Sequence, residues 1–323
     1  MNKFAKVMCM IAVVALAFTA CKKKENTVQS FVLNGTTEEF ENIYDEFDGE
    51  KAYIDGSKVK FEVNDELMVF NMNTTSPHAA IYTFDGTNFN STTGVNPDTD
   101  GAFYAFYPAG NVINPNSHLN DGYATFRLNA SQVYRTISDK PVIPANSLYM
   151  AAKDETATNL DNANFSFKNI CGILSMKFFS TEDRHVTSIE VTDKTFNIVG
   201  DVQVDLDKVN PDELTTWFRN YSEDATYQAN LATYLHNIGY HTTSTGPTII
   251  LDCTQENADG VLLGKTKAKA TQFLVVMRPL ALLKGCNITI NFKENVEPVV
   301  IKSTKDNRIS PNVIRNMTAT KVG

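Results

Sequence analysis

The residues that could do acid–base or metal chemistry are scattered along this chain. Carboxylates are paired in sequence at Glu38–Glu39 and at Asp205 and Asp207, but the sequence does not place any two of them across a cleft. The sequence has no Gly-x-Ser-x-Gly elbow, no phosphate-binding glycine loop and no His-Glu-x-x-His motif. We therefore predict that the protein is not an enzyme, with a hydrolase as the alternative. The five histidines are His78, His118, His185, His236 and His241.

Two patterns suggest metal binding at first sight. His236 and His241 are five residues apart, so on a helix they would lie on different faces and not form one metal site. The stretch Asn96–Gly101 has the oxygen ligands of a calcium loop, but Tyr107 stands where that loop needs a bidentate Glu. We interpret it as a polar turn, with calcium as the alternative, and we expect neither a metal nor another cofactor.

Cys21 is the residue with the most specific chemical context. A basic head with Lys3 and Lys6 precedes an uncharged run from Val7 to Ala20, which is too short to span a membrane. This pattern is typical of a secretory signal over residues 1–20, with cleavage between Ala20 and Cys21. The alternatives are a plain signal peptide with an incidental cysteine, and a buried helix.

The residues around the cut, Phe18-Thr19-Ala20-Cys21, resemble a bacterial lipobox, with Phe18 in place of the usual Leu. The resemblance implies diacylation of the Cys21 sulfur, cleavage before it and acylation of the new amino group by a fatty acid such as palmitate. Two or more acyl chains would anchor the protein stably in a bilayer. Lys22–Lys24 would then face headgroups or form part of a solvated linker over residues 21–27.

The composition describes an acidic globular protein. Apolar residues make up 42% and charged residues 20% of the chain, which argues against disorder. The net charge of −8 argues against nucleic acid as a partner. Three cysteines remain after the signal, and we predict that they are buried thiols; they are Cys171, Cys253 and Cys286.

Short apolar runs separated by turn residues predict an all-β fold of β-sandwiches. A polar stretch at Asp154–Asn164 suggests a boundary between an N-terminal domain over residues 28–160 and a C-terminal domain over residues 161–323. We expect Glu38–Glu50 to be an exposed acidic loop. The predicted strands are Val28–Leu33, Val59–Val63, Leu67–Phe70, Ile81–Phe84, Ala102–Tyr107, Tyr123–Leu128, Leu148–Ala152, Phe165–Phe167, Ile170–Phe179, Thr187–Val191, Phe196–Leu206, Thr248–Leu251, Phe273–Met277, Asn287–Phe292, Val299–Lys302 and Ile309–Thr318.

One region has helical character. Asn210-Pro211 followed by Glu213 is a helix-start pattern, and Leu231, Tyr234, Leu235 and Ile238 recur at helical spacing. The sequence therefore predicts a small helical insertion at about 210–240 in the second sandwich. Trp217 within it is either a packing residue or a ligand platform.

Several stretches together resemble the fimbrillin family, the type V pilins and fimbrillin-like outer-membrane lipoproteins of Bacteroides-type bacteria. They follow the lipobox in a fixed order over most of the mature chain. They are Val59–Phe70, Ala105-Phe-Tyr-Pro108, Phe167–Phe178, Ile189–Asp193 with Gly200, Val276–Gly285, Ile288–Ile290 and Ile309–Met317.

The resemblance implies two tandem transthyretin-like β-sandwich domains with no catalysis and no cofactor. It also implies export to the cell outer membrane as a surface-exposed lipoprotein. A trypsin-like protease, usually specific for Arg, then removes an N-terminal strand. A strand donated by the next subunit fills the vacated groove, which builds a fimbrium by β-strand addition. The partners implied are other fimbrial subunits, the outer membrane and an adhesion receptor.

This chain departs from that pattern at the cleavage site. Its first arginine is Arg127, so Lys51-Ala52 is the best candidate cut, although Lys51 is equally an ordinary surface lysine. Without a cut the protein would be a basal anchor or a stand-alone lipoprotein. The terminal segment, Ile309–Val322, is the candidate donor strand or, equally, the last strand of its own domain. Its key residues are Ile309, Val313, Ile314 and Met317.

The function expected is that of a structural subunit or anchor of a fimbria, contributing to cell adhesion. The alternative is a stand-alone surface lipoprotein that binds a glycan or a host protein through exposed aromatics such as Trp217 or Tyr107.

Overall fold

Strands account for almost all regular structure in the part of the chain that the structure describes. The computed structural model describes residues 30–31, 34–37, 41–44, 61, 63–71, 79–91, 103–111, 123–137, 139–144, 147–157, 163–194, 197–205, 240–279, 281–282, 285–305 and 307–323. The exceptions are two short 3-10 turns, at Ala109–Asn111 and Lys267–Lys269. The prediction of an all-β fold is thus confirmed for these residues, and the several sheets fit a β-sandwich.

The largest sheet has eight strands, and its buried face is rich in aromatic side chains. Tyr82, Phe103 and Phe165 are fully buried on its strands. The pairings are antiparallel except that of the last two strands in the order. The order is β1 (Ser30–Phe31), β6 (Phe89–Ser91), β5 (Ala79–Phe84), β4 (Glu66–Asn71), β7 (Phe103–Tyr107), β12 (Met150–Asp154), β13 (Asn164–Asn169) and β2 (Asn34–Thr37).

A five-stranded sheet joins the middle of the chain to both of its ends. Its strand β14 pairs antiparallel with β20 and parallel with β23, and β3 adds in parallel beyond β23. The strands are β20 (Thr271–Met277), β14 (Gly172–Phe179), β23 (Val313–Asn316) and β3 (Glu41–Tyr44), with β24 (Thr320–Lys321) also on β14.

A six-stranded sheet buries one of its faces. Along its central strand, Ile189 and Val191 are fully buried, whereas Ser188, Glu190 and Thr192, which alternate with them, are partly exposed. This alternation is typical of an antiparallel sheet with one face in a core. The strands are β22 (Val299–Lys302), β21 (Cys286–Phe292), β15 (His185–Asp193), β18 (Thr248–Asp252) and β9 (Ser131–Val133), with β19 (Val261–Leu262) also on β15.

Strands from the two halves of the sequence pair with each other. A three-stranded sheet has the order β17 (Tyr240–Gly246), β16 (Val199–Asp205) and β8 (Tyr123–Leu128), and a separate ribbon joins β10 (Thr136–Ile137) to β11 (Lys140–Pro141). Both β8 and β9 precede the predicted boundary at residue 160, yet β8 pairs with β16 and β9 pairs with β18. Arg127 on β8 also donates from Nε to Asp201 on β16, at 2.8 Å. The main-chain pairing therefore runs across that boundary.

Gln132 connects the six-stranded sheet to the edge of the five-stranded sheet. Its side chain is 2% exposed; it donates to the Val276 carbonyl at 2.7 Å and accepts from the Val276 N–H at 2.9 Å. The amide thus imitates a neighbouring strand at the outer side of β20. This contact satisfies two main-chain groups that would otherwise be buried without a partner at that edge.

Three sequence predictions need correction. Glu38–Glu50 is not wholly a loop, because β3 lies within it. The predicted first strand, Val28–Leu33, contains β1, and a second strand, β2, begins directly after it at Asn34. Phe61 and Val63, the described residues of the predicted strand Val59–Val63, are not in a strand. Asn64 follows in the left-handed region at φ 77°, which turns the chain into β4.

The predicted helical insertion at about 210–240 lies outside the described residues except for Tyr240, which begins β17. No helix in the described part of the chain is long and apolar enough to span a membrane.

Candidate functional site: strand edges formed by the two ends of the chain

The predicted donor residues all lie within the chain's own five-stranded sheet or directly beside it. Val313 and Ile314 on β23 are 2% and 1% exposed, between β14 and β3. The Ile309 N–H donates to the Ala281 carbonyl at 2.9 Å, and the Met317 N–H donates to the Ser175 carbonyl at 2.8 Å. In this structure the terminal segment therefore completes the core of the chain that carries it.

A close approach of two backbones fixes the terminal segment before β23 begins. A Cβ on Gly172 would lie 2.1 Å from the Ser310 carbonyl oxygen and 2.6 Å from Ile309 Cγ2, so only glycine fits there. Asn312 then turns the chain with φ 56°, a conformation that Asn tolerates better than most residues, and Asn169 donates to its side chain at 2.7 Å. The turn directs Val313 and Ile314 into register beside β14.

The segment upstream of Lys51 supplies edge strands to two sheets. β2 pairs in parallel with β13, with Asn34 opposite Asn164 and Thr37 opposite Phe167. β3 pairs in parallel with β23, with Glu41 opposite Val313 and Tyr44 opposite Asn316.

At the other end of the eight-stranded sheet, β1 pairs antiparallel with β6. The three strands β1, β2 and β3 thus cover the edges of β6, β13 and β23. Each covered edge presents main-chain donors and acceptors that a strand must satisfy.

The remaining predicted site residues lie outside the described part of the chain. They are Ala20 and Cys21 at the signal cleavage, Lys51 and Ala52 at the candidate proteolytic cut, and Trp217. Their assignments stay predictions.

The prediction that Tyr107 is an exposed aromatic is wrong. Its ring is partly buried, packs edge-on against Phe61 with centroids 5.5 Å apart, and its hydroxyl donates to Asp65 Oδ1 at 3.1 Å. The prediction failed because the residues that cover the ring and bind the hydroxyl, Phe61 and Asp65, are distant from Tyr107 in the sequence.

The three remaining cysteines are free and buried, as predicted. Burial raises the pKa of each thiol, to about 12 for Cys253 and about 11 for Cys286, and further for Cys171. Thiols with raised pKa values are poor nucleophiles and poor metal ligands at neutral pH.

Ionisable side chains in the described residues form structural contacts. His185 Nδ1 lies 2.8 Å from Glu294 Oε1, and the buried Asp193 accepts from the Leu282 N–H at 2.5 Å. Burial lowers the pKa of Arg278 to about 10, while Asp193 favours its charged form. Within the described residues, no group of three or more His, Cys, Asp or Glu side chains could hold a metal ion.

The buried contacts of Gln132 and Arg278 were not predicted from the sequence. Gln132 lies in a three-residue parallel strand with no hydrophobic run, and nothing local marks it as buried. Arg278 entered the sequence predictions only as part of the stretch Val276–Gly285. Its position between Met277 and Pro279, at the end of an apolar strand, is a signal for a buried cation with a partner.

Comparisons with known proteins give matches to solved structures only. No family model and no curated protein matches the chain. A candidate cell adhesion protein from Bacteroides ovatus matches with TM-score 0.47 and 9% identity over 91% of this chain and 93% of that one. A candidate cell adhesion protein from Bacteroides uniformis matches with TM-score 0.45 and 11% identity over 90% of this chain and 94% of that one.

A fimbrial protein from Bacteroides ovatus also matches, with TM-score 0.38 and 14% identity, over 92% of this chain and 50% of that one.

Proposed function

We propose that the chain is a fimbrillin-like surface lipoprotein, a structural subunit or anchor of a fimbria that assembles by β-strand donation and contributes to adhesion. The observation that carries the proposal is the position of β1, β2 and β3 at the edges of β6, β13 and β23, upstream of Lys51. An edge strand can be withdrawn without breaking the interior pairings of its sheet. Its removal would leave main-chain groups for an incoming strand to pair with.

The covered edges differ in what they would offer a donated strand. β13 carries Phe165 and Phe167, which are buried on one face, so a strand beside it extends an aromatic core. β23 carries Val313 and Ile314, buried between β14 and β3. A donor that alternates apolar and polar residues would restore both the hydrogen bonds and the buried face at either edge.

The finer parts of the proposal follow from the sequence. They are cleavage between Ala20 and Cys21, lipidation of Cys21 and retention at the outer membrane. They also include two transthyretin-like domains that meet near residue 160, a helical insertion at about 210–240 and the absence of catalysis. Pairing of β8 with β16 and of β9 with β18 supports an arrangement in which the two halves share sheets.

Processing of the N-terminus tests the proposal directly. The N-terminal residue of the protein isolated from cells is identified by mass spectrometry, and the oligomers are examined on partly denaturing gels. A chain that starts at Ala52 and forms a ladder of oligomers is a shaft subunit. A chain that starts at a lipidated Cys21 within purified fimbriae is an anchor.

Two variants sharpen this test. Lys51→Ala should abolish cleavage and the ladder together, whereas Lys58→Ala, a lysine seven residues further on, should change neither. An unmodified Cys21 in protein free in the periplasm would refute the proposal. Lipidated protein that never enters fimbriae would favour the alternative of a stand-alone lipoprotein that binds a glycan or a host protein.

A further inference from the structure

The β22 edge of the six-stranded sheet is formed by a short, β-branched strand. β22 pairs antiparallel with β21, with Val300 opposite Thr289 and Lys302 opposite Asn287. On its other side, no described residue pairs with it. Val300 is 48% exposed, although Val is a residue that folding usually buries.

The hydrogen-bond register identifies the main-chain groups that face outward from this edge. The Ser303 N–H donates to the Cys286 carbonyl at 2.9 Å, so these two opposite residues are a hydrogen-bonded pair of the ladder. In an antiparallel ladder such pairs alternate with pairs that do not. Ile301 and Val299 therefore bond to β21, and the N–H and C=O groups of Val300 and Lys302 face away from the sheet.

Two other strands, β20 and β23, have a covering that β22 lacks among the described residues. The Gln132 amide occupies the Val276 groups at the edge of β20, and β3 occupies the edge of β23. Pro298, which has no N–H, limits the open edge of β22 at its start. The open stretch is therefore short and begins at a defined position.

The β22 edge is complementary to itself. If two copies meet antiparallel with Val300 opposite Val300, each Val300 N–H donates to the other Val300 carbonyl. The two exposed valine side chains then pack against each other, which is a favourable cross-strand pair.

The charges at the ends of the strand favour the same direction. In that register Lys302 lies opposite Pro298 and beside Glu297 of the second copy, and all three residues are exposed. The two Lys302 side chains are four residues apart along the strands, about 13 Å. A parallel pairing in register would instead place Lys302 beside Lys302, and like charges directly opposite destabilise a sheet.

We infer that β22 is a homotypic contact, through which two copies of this chain join their six-stranded sheets edge to edge about a two-fold axis. The joined sheet would run continuously from β9 of one copy to β9 of the other. The contact buries little area, so it forms where copies are concentrated, as on a shared membrane or fimbria. It needs neither cleavage at Lys51 nor a donated strand.

Cysteine cross-linking in intact cells tests this contact. In the inferred register the two Val300 Cα atoms lie about 5.5 Å apart, within the range of a disulfide. Val300→Cys should therefore shift most of the full-length chain to twice the monomer mass on a non-reducing gel, and reduction should reverse the shift. The unsubstituted chain measures any background from the natural cysteines.

Two matched controls address specificity. Ile250→Cys places a thiol on the same face at a residue that is 40% exposed, but on the interior strand β18, and it should stay monomeric. Lys302→Cys should not link to itself, yet it should link to Pro298→Cys when the two variants are expressed together.

The inference is overturned if Val300→Cys stays monomeric, or if Val300→Cys and Ile250→Cys dimerise to the same extent. Efficient self-linking of Lys302→Cys would also overturn it, because that result requires a different register. A failure here leaves the N-terminal mass and the oligomer ladder unchanged, so it is distinguishable from a failure of the proposed function.

Discussion

Single polar side chains stabilise this fold by completing main-chain hydrogen bonding. Gln132 does so at the edge of β20, and Asp154 does so at the end of β12, where it accepts from the N–H groups of Thr156 at 2.8 Å and Asn164 at 2.7 Å. Hydrogen bonds from its neighbours outweigh the effect of burial and lower the pKa of Asp154. Loss of such a residue leaves donors or acceptors unsatisfied, which costs more than loss of one exposed contact.

Replacement of Gln132 tests this view. We expect Gln132→Ala to reduce the free energy of unfolding by about 2–4 kcal/mol, because the Val276 N–H and C=O lose their partner in a buried site. Urea denaturation followed by circular dichroism measures the change. Gln255→Ala is the matched control, since Gln255 is exposed and donates to Asp252 at 2.8 Å, and it should cost less than about 0.5 kcal/mol. Equal losses in the two variants would contradict the role given to Gln132.

The pair of His185 and Glu294 gives the fold a dependence on acid. Burial alone would raise the pKa of Glu294, but hydrogen bonds from the side chain and the main chain of His185 lower it from 4.5 to about 2. The carboxylate therefore stabilises the folded state above pH 4.5, and this contribution is lost as the pH falls towards 2.

We expect the unfolding free energy to fall as the pH is lowered from about 5 to 2, and Glu294→Gln to flatten that slope. Urea denaturation at several pH values measures both. Glu297→Gln, at an exposed acid three residues away, should leave the slope unchanged. A slope that is the same in Glu294→Gln and in the unsubstituted chain would rule out this pair as its source.

At the scale of elements, the close approach at Gly172 couples β14 to the terminal segment. We expect Gly172→Ala to destabilise the protein by about 3 kcal/mol, because the added Cβ would overlap the Ser310 carbonyl and force the segment away from β14.

Gly110→Ala is the matched control for that substitution, since a Cβ there meets no atom within 4 Å, and it should be close to neutral. Thermal denaturation measures both variants. Normal stability of Gly172→Ala would mean that the terminal segment can shift without cost.

Sequence patterns located most strands but not those that depend on distant partners. Tyr123–Leu128 and Val299–Lys302 have the predicted bounds, because their alternation and turn residues are local signals. β3 was missed because Glu38–Glu50 is acidic, and a short parallel edge strand needs only main-chain groups from its neighbour. β9 was missed because a strand of three residues in parallel pairing gives no periodicity in the sequence.

The site was predictable to a lesser extent than the fold. The order of motifs and the apolar residues Val313 and Ile314 identified a terminal strand, but no sequence pattern chooses between its own sheet and that of a neighbour. Nor could the sequence indicate that β2 and β3 join two different sheets, because their partners, β13 and β23, lie more than a hundred residues away. Long-range pairing of this kind is decided by tertiary packing.

At the scale of the whole molecule, the exchange of strands across residue 160 predicts that neither half is independent. The first half supplies β8 and β9 to sheets of the second, so each half alone would expose unpaired edges and buried side chains. We expect residues 28–160 and residues 161–323, expressed separately, to lack cooperative thermal unfolding, and the intact chain to unfold in a single transition.

Near-ultraviolet circular dichroism and calorimetry measure that cooperativity. As a control, the two halves are expressed together, and they should recover native signal if pairing across the boundary drives folding. A cooperative transition for the first half alone would show that it folds without the pairing of β8 and β9 to the second half.

The parallel pairing of β3 with β23 also sets how the molecule responds to tension. These strands lie near opposite ends of the sequence and run in the same direction, so a pull on the two ends acts along them in opposite senses. The hydrogen bonds between them must then rupture together in shear, and cannot open one at a time like a zipper. If the protein is held by one end to a cell and stretched in flowing liquid, the force would act on this strand pair in shear, the direction in which paired strands resist separation most.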